Sequence, residues 1–256
     1  MKEALEWPMA LSLFLFSLVF IHELGHFIVA RILGFKVTEF SIGLGPKILK
    51  IEHQGITYAL SLLPIGGKVA IKGENPSESK NEKGDFHASP AWKKLVVALA
   101  GPVSNIALTL FLFFGLAFTS PTLQNKKLND RITKSVEFSL LSTQDWSKKI
   151  AEGATSLFIN KANAEEQSLS GPLTLTKTAV ETYRASIRIF VEFLAVISLN
   201  LAFINLLPVP LLDGGHVFTG IIEILTRKRV PLKIMSVANK LGMYLILSLT
   251  ITAVGQ

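Results

Sequence analysis

The sequence predicts an α-helical integral membrane protein of about four transmembrane helices, with a small membrane-associated β-loop and an amphipathic helix. Composition is the first observation behind this: 49% of the 256 residues are hydrophobic and only 18% are charged. Their distribution is the second. The apolar residues gather in a few runs of about 20, the length that crosses a hydrocarbon core of about 30 Å. The third is a short stretch between the first two runs, rich in Ile, Leu, Val, Thr and Tyr and punctuated by glycines, that has strand character instead. The chain has no cysteine, which excludes disulfides, Cys-ligated zinc and a thiol nucleophile. Its net charge of +7 lies on bases scattered through the polar connections. With no aromatic-interleaved basic stripe, that is the balance of membrane-protein loops, and no nucleic-acid partner is expected.

Taken in order, the first span covers about 9–30. The residues before it carry more acid than base, and the run ends in no small-residue cleavage site, so it is expected to be a retained helix and not a signal peptide. A β-loop over about 48–72 follows. Its strand-like pieces, 48–52, 56–63 and 68–72, are separated by His53-Gln54-Gly55 and Pro64-Ile65-Gly66-Gly67 and suggest a small meander. Ser41-Ile42-Gly43-Leu44-Gly45-Pro46 before them reads as a glycine-rich turn and matches no phosphate-binding loop. After a polar loop, Ser89-Pro90 reads as an N-cap and first helical residue. They open a second span over about 92–118, broken by Pro102, where Ser104 or Asn105 could satisfy the freed carbonyl.

A polar extramembrane connection covers about 120–171. Within it, Ser142 and Asp145 resemble a capping box, and Trp146, Ile150, Ala154 and Leu157 follow at near-helical spacing. An amphipathic helix over about 143–160, able to rest on the bilayer surface or meet a partner, is expected there. Gly171-Pro172 restarts a helix that enters the third span, about 189–207. That span ends in Asn205-Leu-Leu-Pro208-Val-Pro210-Leu-Leu-Asp213-Gly-Gly-His216, where prolines and glycines bracket an acid and the helix must unwind. Arg227-Lys228-Arg229 and a fourth span, about 234–254, complete the chain. The charge counts of the two main connections balance; the Arg227–Arg229 cluster tips orientation toward a cytoplasmic β-loop.

The chemistry lies in His22-Glu23-Leu24-Gly25-His26, an H-E-x-x-H inside the first span. Residues four apart on a helix return to one face, so His22 and His26 can close on one zinc ion, and Glu23 can take a proton from water activated there. Ionisable groups at that depth are costly and face a polar interior. A catalytic zinc usually takes three protein ligands. By residue type the third could be His53, His87, Glu192, Asp213, His216 or Glu223. His53 and His87 lie in polar loops and Glu192 near an interface. Asp213 and His216 sit on the broken segment and, three apart, could share a face. Spacing narrows the choice to that pair and leaves it open.

The paired motifs, H-E-L-G-H in a first span and N-L-L-P-V-P-L-L-D-G-G-H in a late one, resemble the site-2 protease family of intramembrane zinc metalloproteases. The regulator-of-sigma-E protease-like bacterial branch, which cleaves anti-sigma factors and signal-peptide remnants, is the nearest in pattern. Phe40-Ser-Ile-Gly-Leu-Gly-Pro46, Leu62-Leu-Pro-Ile-Gly-Gly67, Ala100-Gly-Pro-Val-Ser-Asn105 and Leu169-Ser-Gly-Pro172 resemble that branch in the same order, so the likeness covers all but about 120–134. The resemblance implies that His22, His26 and Asp213 bind zinc, that Glu23 is catalytic, and that Asn205 lies beside the substrate. It leaves His216 a supporting or structural role. It implies a β-loop that holds substrate extended, single-span membrane proteins as substrates, the lipid bilayer as surroundings and the bacterial inner membrane as location. The branch carries PDZ domains between its second and third spans; here the connection is too short for one together with the amphipathic helix, and substrate selection by such domains is not assumed. The rival readings are a zinc-binding sensor or transporter, which has no need of Glu23, and an inactive scaffold for membrane segments.

Overall fold

A computed structural model describes residues 3–74, 84–159 and 172–231, with scattered positions between 234 and 244. Most of the fourth expected span lies outside the described residues. The chain divides into two compact units, one of residues 12–104 and 204–247, the other of 1–11, 105–203 and 248–256.

The first unit holds most of helix α1 (Glu3–Ile32) and strands β1 (Val37–His53) and β2 (Ile56–Ile71). It also holds the start of α2 (Ala91–Phe118), the end of α6 (Ile187–Leu206) and all of α7 (Asp213–Thr226). Helix α1 is 30 residues long, more than a span requires. Its last turn closes with Phe35 N–H donating to the Ala30 carbonyl (2.9 Å) and Gly34 N–H to Arg31 (3.1 Å), the Schellman pattern that frees the chain to leave as a strand.

The β-loop differs from the expected meander. β1 and β2 meet in a two-residue turn at Gln54-Gly55, both at positive φ as the hairpin twist demands. Each strand then doubles back on itself, β1 at Gly43 and Gly45 (φ 90° and 91°) and β2 at Gly66 (φ 72°). The halves make four extended segments. Residues 47–53 pair with 56–61, while 37–42 pair both with 57–60 and with 67–71. Segments 56–61 and 37–42 are therefore the two inner ones, and 37–42 was absent from the expected β-loop. The presumed turns at 41–46 and 64–67 are bends within strands. Packing explains the inner position: Val37, Phe40, Ser41 and Ile42 are all buried, with Ala30, Phe35, Ile56, Ile71, Phe86 and Val97 beside them in the core. Phe40 lies edge-on to Phe20 and Phe27 of α1, ring centroids 6.1 and 5.2 Å away. Full burial of a phenylalanine is worth about 2–3 kcal/mol, and Phe40 carries such burial between the sheet and the helix bearing the H-E-x-x-H.

The second unit is a set of helices: the rest of α2, the short α3 (Pro121–Gln124), α4 (Leu128–Ile159), α5 (Pro172–Ala185) and most of α6. Helices α2 and α6 are long and apolar enough to cross a membrane. Small residues let them approach: Ala195 and Ala202 are fully buried, and the Thr109 hydroxyl contacts the carbonyls of Asn105 and Ala195 at 3.0 Å each. Ser198 donates to the Asn105 carbonyl at 2.9 Å. The last carbonyls of α2 are capped by two arginines. Arg131 donates to Phe118 (2.7 Å) while lying over its ring, and Arg188 donates to Leu116 (2.8 Å).

Three further expectations are corrected. The amphipathic helix is α4 and starts at Leu128, well before 143, with the small hydroxyl residues Ser135 and Ser139 as its buried side. Ser89 does not cap α2; its hydroxyl donates to the Asp85 carbonyl at 2.8 Å. Ser104 donates to the Ala100 carbonyl (2.8 Å), not to that of Ala98, which Pro102 deprives of its usual donor.

Candidate metal centre

All the residues of the centre belong to the first unit. Helix α1 presents His22 and His26 one turn apart, both buried. Across from them the chain leaves α6, unwinds over 207–212 and enters α7 at Asp213, its first residue. Leu211 takes φ 79°, a left-handed conformation that a branched side chain seldom adopts, and this reverses the chain into α7. The glycines after Asp213 fit tightly. A Cβ on Gly214 would run into the backbone of Leu206 and Leu207, so the unwound segment lies flat against the helix start.

Asp213 Oδ2 lies 3.0 Å from His22 Nε2, Oδ1 lies 3.2 Å from His26 Nε2, and the two Nε2 atoms are 3.2 Å apart. All three ligand atoms fall within 4.8 Å of one another, and among the described residues they are the one such group of three. The protonation follows from the partners. His26 Nδ1 is 2.7 Å from the Val97 carbonyl, which can only accept, so Nδ1 carries the proton and Nε2 turns a lone pair inward.

Three features test whether a zinc ion fits. Zinc–nitrogen bonds of about 2.0–2.1 Å at tetrahedral angles put ligand atoms about 3.3 Å apart, close to the spacing found. Asp213 Oδ2 is buried without a properly aligned hydrogen-bond donor, although His22 Nε2 is near. Proximity without alignment is what atoms converging on a shared cation show. Gly101 of α2 faces both imidazoles, and a Cβ there would overlap His26 Nε2 and come within 2.7 Å of the His22 ring, so the missing side chain leaves the space open. The residues fit the metal.

The neighbours sort as follows. Glu23 packs on β2: a Cβ on Gly67 would lie 2.9 Å from Glu23 Cδ and Oε1. Asn205, at the end of α6, has its amide 3.4 Å from His22 Nε2, beside the centre. His216 lies outside that group of three; its ring meets Phe86 edge-on at 6.3 Å. His53 and Glu192 are exposed. Glu223 is buried against Lys94. His87 is half-buried, and burial, then the Lys94 ammonium, hold its imidazole below the ordinary value. Sequence reasoning missed α7 as a helix, because Gly214-Gly215 reads as a breaker. It also missed Gly67 and Gly101, whose importance lies in what they approach.

A buried two-histidine, one-carboxylate site with a glutamate next to it in sequence, in a chain with two helices long and apolar enough to cross a membrane, is that of a zinc metalloprotease. Residues 10–249 match the model of Peptidase family M50, and the chain belongs to that family, the site-2 protease type. It is 27% identical to the provisionally named zinc metalloprotease Cj1068 of Campylobacter jejuni, over 92% of this chain and 89% of that protein. Identity to the provisionally named zinc metalloprotease CPE1693 of Clostridium perfringens is 26%, over 92% of this chain and 93% of that one. A provisionally named zinc metalloprotease of Thermotoga maritima is 40% identical over 104 residues, 40% of this chain and 21% of that protein. The alignment with the Campylobacter protein spans 326 positions, more than the 256 residues of this chain, so the relative carries inserted sequence.

Proposed function

We propose that this metalloprotease is an endopeptidase that hydrolyses a peptide bond in or near a transmembrane segment of a single-span membrane protein. Support comes from the convergence of His22, His26 and Asp213 within 4.8 Å on helices of a chain whose α2 and α6 can cross a bilayer. Zinc, when bound, supplies Lewis acidity, polarising a scissile carbonyl and making water a stronger acid near neutral pH. The protein residues do the rest. His22, His26 and Asp213 are the metal ligands. Glu23, held against Gly67, is the base that takes the proton of the attacking water and returns it to the leaving amine. Asn205, with its amide near His22, donates to the substrate backbone or to the developing oxyanion, worth about 3 kcal/mol where such donors have been removed.

A helical substrate hides its amides in its own hydrogen bonds and must unwind to be cut. The segment of β2 from Gly67 to Ile71 pairs on one side with 37–42 and reaches the catalytic glutamate at its start. An extended peptide added along it would pass the centre. The resemblance to the regulator-of-sigma-E protease-like branch supports anti-sigma factors or signal-peptide remnants as substrates, the bacterial inner membrane as location and a cytoplasmic β-loop. The polar connection of this chain is too short for a PDZ domain of that branch together with its amphipathic helix, so substrate selection by such domains is not invoked.

The test is Glu23→Gln with a co-expressed single-span substrate. Cleavage is expected to fall by about 10²–10⁴-fold while zinc content stays at one per chain. Unchanged cleavage refutes the mechanism. Zinc transport that survives the substitution points to a sensor or transporter, and substrate retention by zinc-free protein points to a scaffold.

A further inference from the structure

One buried charge pair in the same unit has no part in the chemistry above. Lys94 of α2 and Glu223 of α7 are 7% and 9% exposed, and the ammonium donates to Glu223 Oε2. The other carboxylate oxygen, Oε1, accepts the backbone N–H of Val230 at 3.1 Å, tying down the chain just after the left-handed cap at Arg227. Desolvating both charges costs several kcal/mol, and such pairs often add no net stability over an apolar pair of the same size. Their attested use is to fix register, since any slip leaves a buried charge unpaired.

Register between α2 and α7 is what the metal centre needs. One turn along α2 from Lys94, the Val97 carbonyl sets the tautomer and aim of His26. Asp213 is the first residue of α7, so axial movement of that helix carries the carboxylate with it. Between these points the helices meet at Gly220, where a Cβ would lie 3.3 Å from Leu95 Cβ. A glycine contact brings backbones close but offers no knob to stop them sliding. A slip of one residue is about 1.5 Å, against the roughly 0.2 Å to which zinc ligands must be placed.

We propose that Lys94 and Glu223 are positioning residues for the zinc centre, locking the register of α7 on α2 so that Asp213 meets His22 and His26. This rests on those three residues being the zinc ligands. The experiment uses the full chain in detergent, comparing wild type with the double variant K94M/E223L. Zinc affinity is read by competition with graded chelators, and folding by thermal unfolding and a monodisperse elution profile. The expected result is a double variant as stable as wild type whose zinc affinity is about 10–100-fold lower, the loss typical when groups that orient metal ligands are removed. Unchanged affinity in a folded double variant overturns the proposal. Should the double variant not fold, Glu223→Gln keeps the shape and can still accept from Val230; a change of less than about twofold in its zinc affinity overturns the proposal as well. A wild-type chain that binds no zinc would refute the ligand assignment itself, a result distinct from either of these.

Discussion

Replacing Gly101 by alanine should separate helix stability from metal binding. Glycine inside a helix costs about 1 kcal/mol relative to alanine, so propensity alone makes Gly101→Ala stabilising. Against that stands a new methyl 2.7 Å from His22 Cε1 and Nε2 and overlapping His26 Nε2. Ordinary contact is about 3.5 Å, so the ring of His26 must retreat by about 1.3 Å and that of His22 by about 0.8 Å, or the helix must move as far. Overpacking of this kind costs about 1–3 kcal/mol, leaving net stability within about 2 kcal/mol of wild type. Metal binding has no such slack. A displacement several times the tolerance of about 0.2 Å removes at least one ligand from coordination. We expect zinc affinity to fall at least 100-fold, about 2.7 kcal/mol, with cleavage lost in parallel and the thermal midpoint little changed. Chelator competition and thermal unfolding of the same preparation make the measurement. A variant that keeps zinc at wild-type affinity would refute the placement of α2 against the histidines.

Gly67→Ala acts on the neighbouring group. Its methyl would meet Glu23 Cδ and Oε1 at 2.9 Å, so zinc content should be retained while cleavage of a co-expressed substrate drops at least tenfold; full activity would show that Glu23 does not depend on β2. The bend in β1 should respond to acid. Lys47 Nζ lies 2.8 Å from Glu39 Oε1 across the bend, and its hydrogen bond holds the Glu39 carboxyl below the usual range. A depressed folded value means that the clamp contributes above the unfolded carboxylate value, about 4.3, and is lost as pH falls through the lower folded one. Hydrogen exchange of residues 37–53 should therefore rise below about pH 4 in wild type, and Glu39→Gln should show the higher rate already at neutral pH.

Much of this centre was legible in the sequence because helical spacing is a strong constraint. His22 and His26 needed only a helix to become two ligands on one face, and α1 supplies it. The third ligand was not decided by spacing, since Asp213 and His216 are one turn apart. The backbone decides it: α7 begins at Asp213, which brings the carboxylate to the histidines, and one turn further His216 meets Phe86. Segment 37–42 was hidden because a strand paired on both edges and packed on α1 need not alternate; Phe40, Ser41 and Ile42 are buried in succession. The first half of α4 was hidden for the opposite reason. Its packed side is Ser135 and Ser139, hydroxyls that return to carbonyls on their own helix, so no apolar stripe announces it. Gly67 and Gly101 were unreadable in principle, because a glycine that makes room for a catalytic group looks like any other glycine until its neighbour is known.

The wide separation of the ligands along the chain has a consequence for biosynthesis. His22 and His26 leave the ribosome early, whereas Asp213 is made only near the end. At about 5–20 residues per second, some 10–40 s of translation separate the second ligand from the third. Throughout that interval the nascent chain holds Glu23 and two imidazoles but not the carboxylate that completes the group of three. The ligand set of this hydrolase is thus completed only when the late segment that carries Asp213 has been made and packed against α1.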